Sequence, residues 1–569
     1  MATGMAAVSD EPRAGAAEEG SSDGDRSQGH PPGHGHGDKF ERNARTFTLM
    51  TLASRVTGLA RDATLARAFG VGPVMDAFSF GFMVPNLFRR LFGEGALSAS
   101  FLPIYARLDR DDPQAARRFA AMTLVLMGLV LNVIVVLAEA VLFLLFRQAS
   151  GADDMTRLGL ELLMVMLPYM PLVCLVAVLG SVLQTHDRFG PTAASPLILN
   201  LGIVGACIGF LPFFGGDELR TQGTHALLVG ASVVLAGIFQ VAWSLHAARH
   251  LDLSMRGAIA DLRDRSSPAW GFMGEMLRKA VPMMLGLGVL QVNTFLDGLV
   301  ASWPTIVGPT ILGIPFPLED GAMSTLANAQ RLYEFPLGVF GIAIASALFP
   351  VLSRQADMPE AFLGTLRRGI RLTMFIGLPA SVGLLLVGRS AVAVLLQGGR
   401  FSAEDSDRVA FALAGYAPAI WSYCTVHVWT RAFYARGDSS TPTRIAIGMV
   451  FLNLTLNMTL IWTPLREAGL AWATAIASMV QCVILGRVLS GRIGRVVDGE
   501  VWASWARTAT VTAIMAGVML LAGWLLPVQQ TWTSAVVRLA ALMVVGGSSA
   551  GAAAIALRMP ELRWAIGRK

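Results

Sequence analysis

Apolar runs of about 20 residues, separated by short polar stretches, recur from residue 44 to residue 558. A run of that length crosses a bilayer as a helix. The runs fall near 44–68, 74–100, 119–146, 158–184, 191–213, 224–248, 273–302, 320–352, 370–397, 409–434, 442–463, 466–489, 507–526 and 534–557. This pattern predicts about fourteen transmembrane helices. No segment shows the ten-residue alternation of a membrane strand. The expected fold class is therefore an all-α polytopic membrane protein.

Composition agrees with the pattern. Of the 569 residues, 54% are hydrophobic and 15% charged, against about 25% charged in soluble domains. Residues 1–39 are different: rich in Gly, Ser, Asp, Glu and His, and nearly free of large apolar side chains. Such a stretch cannot bury a core and is expected to be a disordered tail. It has no apolar leader core, and its Gly33-His34-Gly35-His36 run reads as low-complexity polar sequence rather than a metal grip. The four cysteines, Cys174, Cys207, Cys424 and Cys482, are far apart within predicted spans and read as small packing residues. The connections near 105–118, 246–279, 353–371 and 487–507 are rich in Arg, whereas 303–319 and 527–533 have no Lys or Arg. The positive-inside rule puts the Arg-rich connections and both termini in the cytoplasm. Residues 253–266, with Leu253, Met255, Ile259 and Leu262 among Arg and Asp, are expected to lie as an amphipathic helix on the cytoplasmic surface.

Charges inside the apolar runs carry the chemistry. Arg55 and Arg61 fall in the first, Arg89 in the second and Arg331 in the eighth. A charge at bilayer depth costs roughly 2.5–3.5 kcal/mol on insertion scales, so it faces a wet cavity or a partner. Guanidinium forks match phosphate oxygens two at a time. Few acidic residues share these segments, notably Asp62, Asp76 and Glu94, so an excess of positive charge is expected to meet an anion. Snorkelling to the interface or pairing with those acids is the plainer alternative. A second constellation lies further along. Asp297 is in the seventh run, Asn453 and Asn457 are four apart on one face of the eleventh, and Thr474 is in the twelfth. Their hard oxygens suit a sodium ion, and interhelical hydrogen bonding is the competing account of the Asn pair. No Ser-His-Asp group, Walker loop or metal-binding HxxxH spacing is present, so no enzyme activity and no resident metal or cofactor is expected. The energy source would then be Na+, H+, membrane potential or a substrate gradient.

Short motifs repeat. Phe101-Leu102-Pro103-Ile104 followed by Arg107 matches Leu348-Phe349-Pro350-Val351 followed by Arg354, and Gly190-Pro191-Thr192 matches Thr441-Pro442-Thr443. Both pairs are offset by about 250 residues, and an even number of spans separates them, which preserves orientation. The expected organisation is two pseudo-symmetric six-helix lobes plus two extra C-terminal helices. Its bounds are a tail over 1–39, an N-lobe over 40–250, a cytoplasmic linker over 251–272, a C-lobe over 273–490, and the last two spans with the C-terminus over 491–569.

Three stretches carry a family resemblance: Ser54-Arg55-Val56-Thr57-Gly58-Leu59-Ala60-Arg61-Asp62, then Asp76-Ala77-Phe78, then Pro85-Asn86-Leu87-Phe88-Arg89-Arg90-Leu91-Phe92-Gly93-Glu94-Gly95-Ala96. With Arg331-Leu332-Tyr333-Glu334-Phe335-Pro336-Leu337-Gly338-Val339 they resemble the MurJ (MviN) lipid II flippases, from about residue 44 to the end. The resemblance implies a member of the multidrug/oligosaccharidyl-lipid/polysaccharide exporter superfamily in the bacterial cytoplasmic membrane. It would move the undecaprenyl-pyrophosphate-linked peptidoglycan precursor to the outer leaflet by alternating access, for cell-wall synthesis and cell shape. It further implies that Arg55, Arg61, Asp62, Asp76, Arg89 and Arg331 face a central cavity and bind substrate, and that Glu94 and Glu334 lie near a gate. The implied partners are lipid II, membrane lipids, and cell-wall synthesis or division proteins; nucleic acid is not among them. Gln330 departs from the family's frequent Asp, and the 303–319 loop and the polar tail are longer than the family pattern. The last two spans could offer a lateral groove to the polyprenyl chain. Two other transport readings are a MATE-type drug or cation antiporter, which would want acids rather than arginines in its cavity, and a polysaccharide-lipid flippase. A non-transporting membrane scaffold would need no charge at bilayer depth.

Overall fold

A computed structural model describes residues 34–93, 96–148, 154–216, 218–527 and 531–565. The first turns of helix α1 (His34–Phe69) belong to a separate unit, Met1–Thr46; the account below concerns Phe47 onward. Helix α1 starts inside the stretch expected to be unstructured, because Asp38-Lys39-Phe40-Glu41-Arg42 brings helix-forming residues ahead of the first apolar run. Residues 1–33 lie outside the described residues.

Among the described residues, ten helical segments are long and apolar enough to cross a membrane by length and composition, or eleven with one bent pair. They include α4 (Pro113–Gln148), with a mean hydropathy of 2.8 in its most apolar stretch, α7 (Gly190–Phe214) and α8 (Leu219–Ala248). Helices α1 and α10 (Pro268–Ala301) are equally long, but carry Arg55, Arg61 and Asp62, or Asp297, within their apolar stretches.

The order of devices along the chain recurs. Helix α2 (Pro73–Phe88) runs into a π-helical stretch, Arg89–Gly93, and α12 (Ala322–Pro336) into another, Leu337–Ile342. The helices beyond, α3 (Ala96–Asp111) and α13 (Ala343–Arg354), each contain a proline, Pro103 or Pro350. Helix α12 and the segment from Phe340 meet at 42°. Next come α4 and α14 (Pro359–Leu395), and then a span interrupted at a proline. Pro168 separates α5 (Asp154–Met166) from α6 (Tyr169–Thr185), and Pro418 separates α15 (Ala403–Tyr416) from α16 (Ala419–Ala435). Proline removes a backbone donor and clashes with the preceding turn, which is why both spans break there. Helices α7 and α17 (Ser440–Leu460) each open with Pro191 or Pro442 in the first turn. Helix α18 (Ala468–Ile493) packs beside α16 and α17.

Three expectations change in detail. The second apolar run is not one helix but α2, the π-helical stretch and α3, and the Arg-rich connection near 105–118 is helical apart from Asp112. The amphipathic segment forms α9 (Met255–Arg263), capped by Ser254, which accepts from the Gly257 N–H at 3.1 Å. It packs on α4 through Ala258, leaving Ile259 exposed. After α11 (Trp303–Ile306), the connection to α12 contains a hairpin: β1 (Thr310–Ile311) pairs antiparallel with β2 (Ile314–Pro315). Leu312 and Gly313 turn it with φ of 50° and 81°, the left-handed pair that tight hairpins use. Trp303 stacks on Phe316 at 5.8 Å beneath it.

Two apolar cores lie on either side of a central void. One joins Leu65, Phe69 and Phe78 to α5–α8 through Leu162, Met166 and Val229. The other joins Leu326, Tyr333 and Val392 to α15 and α18 through Leu413 and Leu470. Outside the spans, Asp438 caps α17: its carboxylate accepts the Thr441 N–H at 3.0 Å and pairs with Arg492 of α18. Thr441 first, and then Arg492 and Ser440, hold that carboxyl well below the ordinary carboxylate range.

The C-terminal helices α19 (Gly499–Leu525) and α20 (Trp532–Ala556) pack on α14 and end in the short helix α21 (Pro560–Ala565). That helix inserts Glu561, 1% exposed, between α14 and α19. Its carboxylate accepts from Arg371 Nε at 2.7 Å and Ser504 Oγ at 2.6 Å, while Arg371 lies over the Trp564 ring at 5.1 Å. Breaking a buried ion pair costs roughly 3–5 kcal/mol, and here Arg371 would keep only its looser pair with the exposed Glu500 at 3.5 Å, which offsets part of that loss. Glu561→Ala should therefore lower the thermal unfolding midpoint in detergent markedly, and Glu561→Gln, which keeps a hydrogen-bond acceptor, by less. Equal midpoints for Glu561→Ala and wild type would show that the clasp contributes nothing.

Candidate functional site: a charged central cavity

A void of about 1200 Å³ lies between α1, α2, α10, α12 and α15. Its wall includes Arg61, Asp62, Asn86, Arg90, Asp297, Asn328, Gln330, Arg331 and Glu334. Helix geometry puts these polar groups on one side: Arg61 and Leu65 are one turn apart on α1, and Ala327, Arg331 and Glu334 share a face of α12.

Apart from Asp297, the charges of the wall are already paired. Asp62 Oδ1 accepts from Arg61 Nε at 2.9 Å and Nη2 at 2.7 Å, and Arg61 Nη1 donates to Asn200 Oδ1 of α7 at 3.0 Å. Asn200 donates in turn to the Ser54 carbonyl at 3.2 Å, which fixes α7 against α1. Two looser pairs cross the cavity: Arg331 with Asp62 at 3.6 Å and Arg90 with Glu334 at 3.9 Å. Gln330 donates to Glu334 at 3.3 Å. The wall thus holds three arginines (Arg61, Arg90, Arg331) and three carboxylates (Asp62, Asp297, Glu334), so the expected positive excess is absent from the wall itself.

The expected residues divide as follows. Arg61, Asp62, Arg331 and Glu334 come together at the cavity. Arg55 is exposed beside Gly338, and Arg89 hydrogen-bonds to Asn86 at 3.1 Å; neither is part of this wall. Glu94 lies outside the described residues. Arg90 and Asn200 were not anticipated. Arg90 adjoins Arg89 in the π-helical stretch, where the altered turn decides which of the two meets the cavity.

Asp76 is not at the cavity either. It is fully buried and faces the start of α12, accepting from the Gly321 N–H at 2.6 Å, the Ser324 N–H at 2.7 Å and Thr305 Oγ1 at 3.2 Å. A carboxylate on a helix N-terminus meets both free N–H groups and the positive end of the helix dipole. Gly321, with φ of 89°, provides the left-handed turn that aims its N–H at Asp76. The same end carries a second clasp: Arg400, in the turn after α14, donates to the carbonyls of Ala68, Gly215 and Gly216 at 3.2, 2.9 and 2.5 Å. At the other end α3 packs on α10, with Arg107 paired to Glu275 at 2.8 Å.

Behind the cavity, Asp297 accepts from Asn453 Nδ2 at 2.7 Å and Asn457 Nδ2 at 2.6 Å on one oxygen, and from Asn293 Nδ2 at 3.2 Å on the other. Thr474 Oγ1 donates to Asn453 Oδ1 at 3.5 Å. Three helices converge here, as the spacing in sequence anticipated. The Asn457 Oδ1 atom is buried and has no hydrogen-bond partner. Nearby, Tyr333 of α12 stacks on Tyr416 at 4.7 Å and on Tyr423 at 6.4 Å.

Comparison with known proteins gives a consistent picture. The model of the family described as lipid II flippase MurJ matches residues 65–540. A probable lipid II flippase MurJ of Vibrio cholerae serotype O1 is 30% identical over 521 residues, covering 88% of this chain and 91% of the relative. One from Rhizobium tropici is 32% identical, covering 83% and 84%. Among solved structures, a lipid II flippase MurJ in an inward closed conformation superposes with a TM-score of 0.70 at 20% identity, over 90% of this chain and 99% of that one. An inward-facing multidrug resistance MATE transporter superposes with a TM-score of 0.61 at 16% identity, over 79% and 98%. At these identities the structural matches speak for the fold.

The Asp76 clasp yields a prediction. Hydrogen bonds to a charged group contribute roughly 1.5–3 kcal/mol each, and Asp76→Ala strands two backbone donors at the start of α12. A cysteine replacing Ala327 in the cavity wall should then react at least roughly tenfold faster with an impermeant thiol reagent added on the α12 N-terminal side, a change of about 1.4 kcal/mol. Asp76→Asn should give a smaller increase. Reaction rates equal to the unsubstituted background would mean that Asp76 does not hold this end shut.

Proposed function

The chain belongs to the lipid II flippase MurJ family, and on that premise we propose that it translocates lipid II from the inner to the outer leaflet of the bacterial cytoplasmic membrane for peptidoglycan synthesis. The family is one of transporters rather than of catalysts. The observation that carries the mechanism is the pair of ion contacts across the cavity, Arg331–Asp62 and Arg90–Glu334. A diphosphate of about two negative charges competes for those guanidiniums, whose planar forks fit it better than a single carboxylate oxygen does. Once the arginines turn to the head group, the ion pairs that tie α1 and the first π-helical stretch to α12 across the cavity are lost. Binding and the change between inward- and outward-facing states are then the same event.

Around this cavity the fourteen apolar runs would form two six-helix lobes, 40–250 and 273–490, joined by 251–272, with 491–569 beside the second. The recurrence of π-helical stretch, helix proline and broken span supports that arrangement. The Arg-rich connections would be cytoplasmic, as would both termini, which makes the Asp76 and Arg400 clasps the outer closure. Arg55 and Arg89 would meet the head group nearer the cytoplasmic side, with Glu94 and Glu334 at the gate. The polyprenyl chain would stay in lipid beside α19 and α20, and other cell-wall synthesis proteins would be partners. A MATE-type exchange of cationic drugs fits this wall poorly, because two of its three carboxylates, Asp62 and Glu334, are already engaged by arginine.

The Asp297 cluster would hold a sodium ion. Asp297, Asn453, Asn457 and Thr474 bring a carboxylate, two amides and a hydroxyl together; the amides turn their nitrogens to Asp297 and would rotate to offer oxygen to a cation, and the unpartnered Asn457 oxygen is a ligand that a hydrogen-bonded helix contact would leave unused. A bound cation compensates the buried carboxylate and favours the conformation in which the cluster is assembled. Protonation of Asp297 is the second reading; it needs no amide oxygen.

Two outcomes test these proposals. After depletion of the cell's own flippase, a leaflet-resolved assay of lipid II should show outer-leaflet material restored by this chain and not by Arg331→Ala. Arg331→Lys should restore it at roughly a tenth of the wild-type rate, about 1.4 kcal/mol of lost recognition; full restoration by the lysine variant would exclude bidentate capture there. Separately, sodium should change the reactivity of a cavity cysteine in wild type and leave Asp297→Asn unchanged. The same sodium response in both would remove Asp297 from the coupling site.

A further inference from the structure

The Asp297 cluster is a partition between two voids. On one side is the central cavity, whose wall includes Asp297 itself. On the other is a smaller void of about 340 Å³ between α10, α17 and α18, whose wall includes Asn293, Asn453 and Thr474. Two of those three donate directly to Asp297 and the third holds Asn453, so the second void reaches the carboxylate through its own hydrogen-bond partners.

The second void runs in one direction. On α17 its lining goes from Asn453 back to Ala446, towards the start of that helix; on α18 it goes from Thr474 on to Gln481, towards the end. The two helices are antiparallel neighbours, so both trends lead to the same face of the molecule, the one that bears the Asp438–Arg492 pair. From Thr474 to Gln481 is seven residues, about 10 Å of helix rise. Polar groups occur along that length: Thr474, then Ser478 and Tyr423, then Gln481, interleaved with Ala446, Met449 and Ala477. Among the described residues, none lining this void is charged.

The two voids differ in what they offer a cation. A path through the central cavity leads past Arg61, Arg90 and Arg331 and through the volume that the head group must occupy, so it closes when substrate binds. The second void offers neutral oxygens and amides at intervals, which suits the passage of a cation that must be held and released repeatedly. We propose that sodium reaches Asp297 through the α10–α17–α18 void, from the face bearing the Asp438–Arg492 pair, and that cation and anionic substrate use separate routes. This route rests on the reading of the Asp297 cluster as a sodium site.

The test uses the full-length chain in proteoliposomes, with the four native cysteines replaced and a single cysteine at Ala446 or Gln481. A small cationic methanethiosulfonate should modify either position from the face bearing Asp438 and Arg492. Sodium chloride should slow that reaction several-fold relative to N-methylglucamine chloride, and the protection should vanish in Asp297→Asn. A second variant, Ala477→Phe, fills the void. It should slow the onset of the sodium response of a cavity cysteine roughly tenfold without changing its final extent; if this variant fails to fold, the cysteine measurements decide alone. If sodium alters the cavity cysteine but not the modification of Ala446→Cys and Gln481→Cys, the route is wrong and the sodium site stands. If sodium alters neither in the wild-type background, the site fails and the route with it.

Discussion

A carboxylate removed from water must be given donors, and Asp76 obtains its donors from the first turn of α12. That contact fixes one end of a helix on which the rest of the site hangs. Further along α12, Arg331 and Glu334 meet Asp62 and Arg90 across the cavity, and Tyr333 lies in the stack with Tyr416 and Tyr423. Beyond, the helix passes into the π-helical stretch at Leu337–Ile342 and a 42° bend. The Asp76 clasp, the ion pairs across the cavity and the neighbourhood of Asp297 are therefore tied to one rigid body of about four turns. Its displacement at any of these points is felt at the others.

Neutral and charged groups hold this protein together in different places. Ser422 and Ser478 hydrogen-bond inside the bundle at 2.5 Å, and Gln240 donates to the Ser195 carbonyl at 2.7 Å; such contacts fix helices that do not separate. The ion pairs that cross the cavity to α12, from Asp62 of α1 and from Arg90 of the first π-helical stretch, are loose at 3.6–3.9 Å. Partly solvated pairs of that length contribute little to stability, so they can be exchanged for a ligand without unfolding what surrounds them. The Glu561–Arg371 contact is the converse, short and buried, and it joins helices with no part in the cavity.

Much of this was legible in the sequence because the membrane makes charge conspicuous. Arg61, Arg331 and Asp297 stand out against apolar neighbours, and the four-residue spacing of Asn453 and Asn457 puts both on Asp297. What stayed hidden depended on the backbone. The donors to Asp76 are N–H groups of Gly321 and Ser324, which every residue but proline possesses. The choice between Arg89 and Arg90 turns on a π-helical stretch, which a continuous apolar run does not announce, and it brought Arg90 rather than Arg89 to the cavity wall. The Thr310–Pro315 hairpin and the Glu561 clasp each rest on a few residues close to the ends of longer elements, below what periodicity resolves.

The even balance of the cavity wall, three arginines against three carboxylates, has an electrostatic consequence. With all six ionised, arrival of a diphosphate takes the sum from zero to about minus two. Asp297 shares that wall, so on the proposed function the attraction of its site for a cation would rise as the head group binds, by an amount that falls off with distance and water content. Such a gain is reciprocal: whatever factor the anion adds to cation affinity, the cation returns to the anion. Two ligands of opposite sign on either side of one partition would thus help each other to bind without touching.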